Sequence, residues 1–212
     1  MGIASPQGGT TKLDGSPHPG SWAQQPGTYT FYVPDGWAVG RVWAKSGCSG
    51  GGAGSTCLVG DCPGGCDGVK NGAAGATLAE FTMNAYMNSD SYNISIVDGY
   101  NFPMQITATA GCPTASCGTT QDLLEVCDPS LIFPKGSDKI YSCNSACGNA
   151  IQFQDGTSGQ LVSADIADSP SCCVKNGVAV DHKDCPNTYI PFYKQMKSLC
   201  KTAYVYSDDD MY

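Results

Sequence analysis

TLAEFTMNAYM (77–87), YNISIVDGY (92–100) and NFPMQITATA (101–110) follow one another with only short breaks, and their reading decides the fold. On propensity alone TLAEFTMNAYM would pass for a helix, because Leu, Ala, Glu and Met favour one. Its neighbours are rich in Thr, Ile, Val and Tyr and carry the alternation of half-buried strands. All three stretches are therefore read as strands joined by short turns. Upstream, TYTFYVP (28–34) reads as a strand with Tyr29, Phe31 and Val33 on one face, and GWAVGRVWAKSGC (36–48) as a second strand ending at a cysteine. Residues 1–27 read as loop, and the Gly-rich stretch 49–76 as irregular loop held by disulfides.

The character changes after Gly111. Nine of the thirteen cysteines lie between 112 and 200. The helical candidates there are short: QDLLEVC (121–127) and YIPFYKQMKSLC (189–200). In the second, Tyr189, Tyr193, Met196 and Cys200 form a stripe at helical spacing, Asn187 or Thr188 suits the N-cap, and Pro191 fits only in the first turn. Lys175-Asn176-Gly177 reads as a tight hairpin turn. The chain divides into a β-rich region over 1–111 and a disulfide-rich, partly helical region over 112–200.

Composition narrows the function. In 212 residues, 14% are charged, Gly and Pro number 27 and 13, and 41% are hydrophobic, which suits a loop-rich β protein and not a disordered chain or a helical bundle. A net charge of -8 with scattered basic residues disfavours nucleic acid and anionic membranes as partners. No stretch is apolar enough to span a membrane, and MGIASPQGGTTK (1–12) lacks the features of a signal peptide. Thirteen cysteines point to an oxidising, extracellular setting. Zinc is not expected, since the histidines are His18 and His182 alone and no two CxxC pairs occur; neither histidine is given a role. Cys172 and Cys173 are adjacent, so each should staple a different segment. The odd count leaves one thiol without an internal partner, and spacing alone does not give the connectivity.

Seven motifs, taken in order, resemble the thaumatin-like proteins, the pathogenesis-related group 5. They are GRVWAKSGC (40–48), CLVGDC (57–62), ATLAEF (76–81), ISIVDGYNFPM (94–104), CNSAC (143–147), the Cys172-Cys173 pair and AYVYSDDD (203–210). The chain departs from the pattern at Ala53, Ser55 and Val59, and its stretch 150–170 is longer than in compact members. The resemblance implies a mainly β fold: a thaumatin-like β-sandwich with a disulfide-rich, partly helical lobe and loop-rich insertions. It implies a single domain over 1–212, with 1–111 and 201–212 forming the sandwich region, 48–76 its disulfide loop and 112–200 the lobe. The implied bridges are Cys48–Cys57, Cys62–Cys66, Cys117–Cys200, Cys127–Cys143, Cys147–Cys172 and Cys173–Cys185. The family also places cysteines on opening and closing strands that this chain is expected to lack, which would leave Cys112 as the orphan.

The same resemblance implies an acidic cleft of one Arg, one Glu and three Asp. The matching positions are Arg41, Glu80, Asn93 in place of the first Asp, Asp98, and Asp210 within the Asp208–Asp210 run. Glycoside hydrolysis needs one carboxylic acid to protonate the leaving oxygen and a second carboxylate as nucleophile or base. Glu80 is the expected acid and Asp98 its expected partner. Strand parity puts Asn93 and Asp98 on opposite faces, so both line one cleft only if Asp98 lies in a turn beyond its strand, which Asp98-Gly99 permits. Asn93-Ile94-Ser95 is also an N-glycosylation sequon. Tyr100, with Tyr92 and Phe102, is a candidate to stack on sugar rings. The implied function is a secreted monomer that binds β-1,3-glucan of fungal walls, with weak endo-β-1,3-glucanase activity, no cofactor and no metal. The alternatives are a non-catalytic glucan binder and an inhibitor of foreign hydrolases.

Overall fold

Strand pairing in this protein grows outward from Leu78–Thr82, whose residues alternate between the two faces of a sheet. The computed structural model describes residues 1–5, 9–24, 26–50, 56–62, 66, 75–109, 111–148 and 168–209. Leu78–Thr82 pairs antiparallel with Gly40–Trp43 on one side and with Ser91–Ser95 on the other. Gly2–Ala4 extends the sheet beyond Gly40–Trp43, and Ala203–Tyr204 joins the opposite edge parallel to Ser91–Ser95. The result is a five-stranded sheet accompanied by small ribbons, and the protein is mainly β.

Both faces of this sheet are covered, by different material. Val42, Ala79, Ile94 and Ala203 share one face and enter the larger core with Ile96, Tyr100, Cys117, Leu123 and Met196. Ala4, Trp43 and Leu78 share the other face and pack with Val59, Cys62, Cys66 and Ala76. There the Trp43 indole N–H donates to the Gly60 carbonyl at 2.8 Å, so burying this ring leaves no polar atom unpaired. The larger core draws on the sheet and on the cysteine-rich segments alike, because Cys117, Cys173, Cys185 and Cys200 all lie in it.

Several elements are shorter than the sequence suggests. The stretch 36–48 forms two strands, Gly40–Trp43 and Ser46–Ser49, with the ladder interrupted at Ala44 and Lys45; the second pairs with Thr56–Val59 as a ribbon. In TYTFYVP only Phe31–Tyr32 pairs, with Thr11–Lys12. Pro34 has no N–H to extend that ladder. The 77–87 stretch is a strand to Thr82, followed by turns and a 3-10 turn at Tyr86–Asn88. Met104–Ile106 pairs with Ala115–Cys117.

The helical candidates also shrink. QDLLEVC yields a 3-10 helix, Leu123–Val126, capped by the Asp122 carboxylate, which accepts from the Leu124 N–H at 3.0 Å. In the second candidate the α-helix is Tyr193–Leu199, with Phe192 at its N-cap, and Asn187–Tyr189 is a separate 3-10 turn. Pro191 explains the break: it disfavours helical geometry at Ile190, which is extended. The N-cap is therefore neither Asn187 nor Thr188, and Tyr189 falls off the buried stripe that Met196 and Cys200 keep. Asn176 and Gly177, at φ 52° and 72°, form the hairpin turn between Val174–Lys175 and Val178–Ala179.

Six disulfides join Cys48–Cys57, Cys62–Cys66, Cys117–Cys200, Cys127–Cys143, Cys147–Cys172 and Cys173–Cys185. These coincide with the set implied by the motif order. Cys112 is a free, exposed thiol. Among the described residues no helix is long and apolar enough to cross a membrane.

Candidate functional site

Register sets the site. Arg41 stands directly opposite Glu80, and Glu80 directly opposite Asn93, so three polar side chains lie in one row across three adjacent strands. The row shares its face with Trp43 and Leu78 and lies two residues beyond them along each strand, where the smaller core gives way to partly exposed side chains. The Arg41 Nε–H donates to Glu80 Oε1 at 3.0 Å, with the two side chains 20% and 27% exposed. The Asn93 Nδ2–H donates to Glu80 Oε2 at 3.0 Å. Each carboxylate oxygen of Glu80 thus receives its own N–H.

Asp98 arrives from a turn. Its strand ends at Ser95, and the Gly99 N–H closes the turn by donating to the Ile96 carbonyl at 3.0 Å. The Gly75 N–H donates to the Asp98 carbonyl at 2.9 Å, which ties the turn to the segment entering Leu78–Thr82. Gly99 has φ 130°, and a Cβ there would lie 2.8 Å from the Gly75 Cα. This turn lifts Asp98 out of the strand alternation that would have set it against Asn93. The Asp98 carboxyl is pushed up to about 6, first by burial and then by the Glu80 charge, against the opposing pull of Arg41. Gly99→Ala is expected to destabilise the protein by roughly 1–3 kcal/mol and to displace Asp98. Thermal unfolding checks the first effect, and a lowered Asp98 titration midpoint the second.

The remaining candidates separate from this row. Tyr100 is 1% exposed and lies in the larger core, so it offers no ring to a sugar; the expectation that it contacts substrate is corrected. It is buried because its backbone bridges to Cys143 and its ring packs against Gly118, where a Cβ would meet the Tyr100 hydroxyl. Tyr92 shares a row with Phe81 on the face opposite Glu80, while Phe102 is exposed. Asp210 lies outside the described residues, as does most of the long stretch 150–170. The Asn93 sequon is closed in the folded protein, with Ile94 and Ser95 buried and the Asn93 amide on Glu80.

Asp209 is the residue that sequence reasoning missed. Its buried carboxylate accepts from Lys197 Nζ at 2.7 Å, from the Val205 N–H at 2.9 Å and from the Tyr193 hydroxyl. It pins the 203–209 segment to the Tyr193–Leu199 helix. The available signal was the Tyr193/Lys197 pair at i, i+4, which presents two donors on one helix side. His18 is buried within a ring cluster of Trp22, Tyr29 and Phe31. Among the described residues, Cys173, Cys185 and Asp208 are near enough together to suggest a metal, but the two sulfurs are joined in a disulfide.

The sequence comparisons bear on this geometry. The model of the Thaumatin family matches residues 2–212. A pathogenesis-related thaumatin-like protein 3.2 from Cryptomeria japonica is 36% identical over 190 residues, covering 86% of this chain and 68% of the relative. Thaumatin-like protein 1 of Arabidopsis thaliana is 35% identical over 200 residues, covering 87% and 65%. A glucan endo-1,3-beta-glucosidase of Prunus avium is 38% identical over 159 residues, covering 71% and 61%. The chain spans about two thirds of the length of these relatives.

Proposed function

This chain belongs to the thaumatin family, and on that premise we propose that it is a secreted protein that binds β-1,3-glucan of fungal walls at the Arg41–Glu80–Asn93 row and Asp98. The observation that carries the proposal is the row itself. It sets a fixed carboxylate between a guanidinium and an amide, on a sheet face that is half open to solvent. A neutral polyhydroxylated ligand is recognised by such alternating donors and acceptors more readily than by a single charge. Weak endo-hydrolysis is the second part of the proposal. It is favoured by Asp98, a carboxyl that keeps its proton to about pH 6 beside a second carboxylate. The relative from Prunus avium named as a glucan endo-1,3-beta-glucosidase agrees with this reading. The disulfides suit secretion into an oxidising compartment.

Sedimentation with insoluble β-1,3-glucan tests binding, and reducing-sugar release from laminarin tests hydrolysis. Arg41→Ala is expected to weaken binding roughly 10- to 100-fold, the value of a charged hydrogen bond together with the carboxylate left behind. Undiminished binding by that variant would contradict the site. Capture of a hydrolase with no affinity for glucan would support the inhibitor reading instead.

A further inference from the structure

We propose that Trp22 and Tyr29 form a second carbohydrate-binding surface, apart from the Arg41–Glu80–Asn93 row, that stacks on the face of an uncharged pyranose ring. The identity of that sugar as a β-glucan rests on the proposed function above; the surface itself rests on ring geometry.

Trp22 and Tyr29 are stacked, with ring centroids 5.0 Å apart and planes 26° from parallel. The His18 ring stands edge-on to both, and Phe31 edge-on to Trp22. Tyr29 is the outer ring of the stack. Trp22 takes one of its faces, yet 39% of the residue stays exposed, so solvent reaches its other face. The backbone holds both rings in place. The Trp22 N–H donates to the Met1 carbonyl at 3.2 Å, next to the Gly2–Ser21 bridge, which sets this segment against the outer edge of the five-stranded sheet. The Trp22 indole N–H donates to Gln24 Oε1 at 2.9 Å, and Tyr29 leads directly into Phe31–Tyr32, paired with Thr11–Lys12. A surface fixed in this way loses little conformational freedom on meeting a ligand.

His18 sets the polarity of the stack from below. The Gly20 N–H donates to its Nδ1 at 3.1 Å, and a backbone N–H can only donate, so the neutral ring carries its hydrogen on Nε2. That nitrogen lies 3.2 Å from the Tyr29 hydroxyl and donates to it, which leaves the hydroxyl its own hydrogen to give to a ligand. The chemistry that fits is a pyranose with equatorial hydroxyls, as in β-linked glucose. Its axial C–H groups meet the electron-rich face of the Tyr29 ring, and a sugar oxygen accepts from the hydroxyl. The four rings bring no carboxylate, and Lys12, opposite Phe31 in the ladder, adds a donor at the border. A few ring surfaces fall far short of the roughly 800 Å² per partner that a stable protein interface needs. The Gly2–Ala4 strand lies between this patch and Arg41, so the two sites are separate. Two footholds on one chain strengthen its hold on an insoluble polysaccharide without any further contact.

Titration of the whole protein with a laminari-oligosaccharide, read by the indole N–H resonances, tests the proposal. Of the three tryptophans, Trp37 and Trp43 are buried, so a saturable shift is expected at Trp22 and not at the other two. Tyr29→Leu, at an exposed position, is expected to weaken that response roughly 3- to 10-fold with Tm unchanged, and to lower sedimentation with insoluble glucan. Tyr29→Phe, which keeps the ring, is expected to preserve most of the response. The proposal is overturned if the Trp22 signal stays fixed at saturating sugar, or if Tyr29→Leu responds as the parent does. It is also overturned if the signal follows protein concentration and not sugar, which would make the patch a contact between copies. A Trp22 shift with the Arg41 and Asn93 signals fixed would uphold this surface and refute the row as the glucan site; the reverse pattern would do the opposite.

Discussion

The Asp98→Asn variant is expected to lose laminarin hydrolysis by about 10²–10⁴-fold, to keep most of its glucan binding, and to unfold at higher temperature than the parent at neutral pH. An amide cannot give up a proton to a leaving oxygen, yet its N–H still donates to a sugar oxygen much as the protonated carboxyl would. The stability gain follows from linkage. The folded state holds the Asp98 proton up to about pH 6, against an ordinary value of 3.8, so the folded form binds more protons than the unfolded form in that window. Parent stability therefore falls as pH rises from about 4 through 6 and then levels off, whereas the amide does not titrate. The variant should gain on the parent across that interval, by at most about 3 kcal/mol above pH 6. Thermal melts of both proteins at pH 4, 5, 6 and 7.5 read the difference. A constant gap between the two melting curves at all four pH values would contradict a raised Asp98, and unchanged turnover would remove it from the chemistry.

Replacing Cys117 and Cys200 together by serine, in a Cys112→Ser background that prevents disulfide exchange, is expected to cost about 4 kcal/mol and to lower Tm by roughly 8–16 °C. The bridge closes a loop of 83 residues, fastens the Ala115–Cys117 strand to the end of the Tyr193–Leu199 helix, and is fully buried at both sulfurs. Removing Cys48–Cys57, which closes 9 residues of a surface ribbon, should cost only about 2–3 kcal/mol. Equal losses from the two double variants would show that loop length is not what these bridges act through.

Much of the sheet was legible because Leu78–Thr82 and Ser91–Ser95 set apolar Ala79, Phe81, Tyr92 and Ile94 on one face and polar Glu80, Thr82, Ser91, Asn93 and Ser95 on the other. The break at Ala44–Lys45 was not legible. No Gly or Pro stands at Ala44 or Lys45 to mark it, and the departure of Ser46–Ser49 to a second ribbon is what separates the strands. Helix length was misread at Pro191, where apolar spacing outweighed the restriction a proline puts on the residue before it.

The site divides in the same way. Motif order named Arg41, Glu80, Asn93 and Asp98, but the registration of the first three in one row is a non-local property that no single stretch encodes. Across the row Glu80 accepts one N–H on each carboxylate oxygen, while Asp98 stands in the turn beyond its strand. Tyr100 was misjudged because an aromatic after a turn reads equally as surface or core. Gly118, whose lack of a side chain makes room for its ring, lies far along the chain. Asp209 was hidden in an acidic run that looks solvated, and its burial depends on a lysine and a tyrosine of the preceding helix.

The central claim is that the Arg41–Glu80–Asn93 row with Asp98 is where β-1,3-glucan binds. Titration of the isotope-labelled protein with a short laminari-oligosaccharide, read by amide and arginine Nε–H shifts, addresses it most directly. The account predicts saturable shifts at the Arg41 Nε–H, the Asn93 side-chain amide and the Gly99 backbone amide. It is contradicted if these three signals stay fixed at saturating sugar, whether or not signals elsewhere on the protein move.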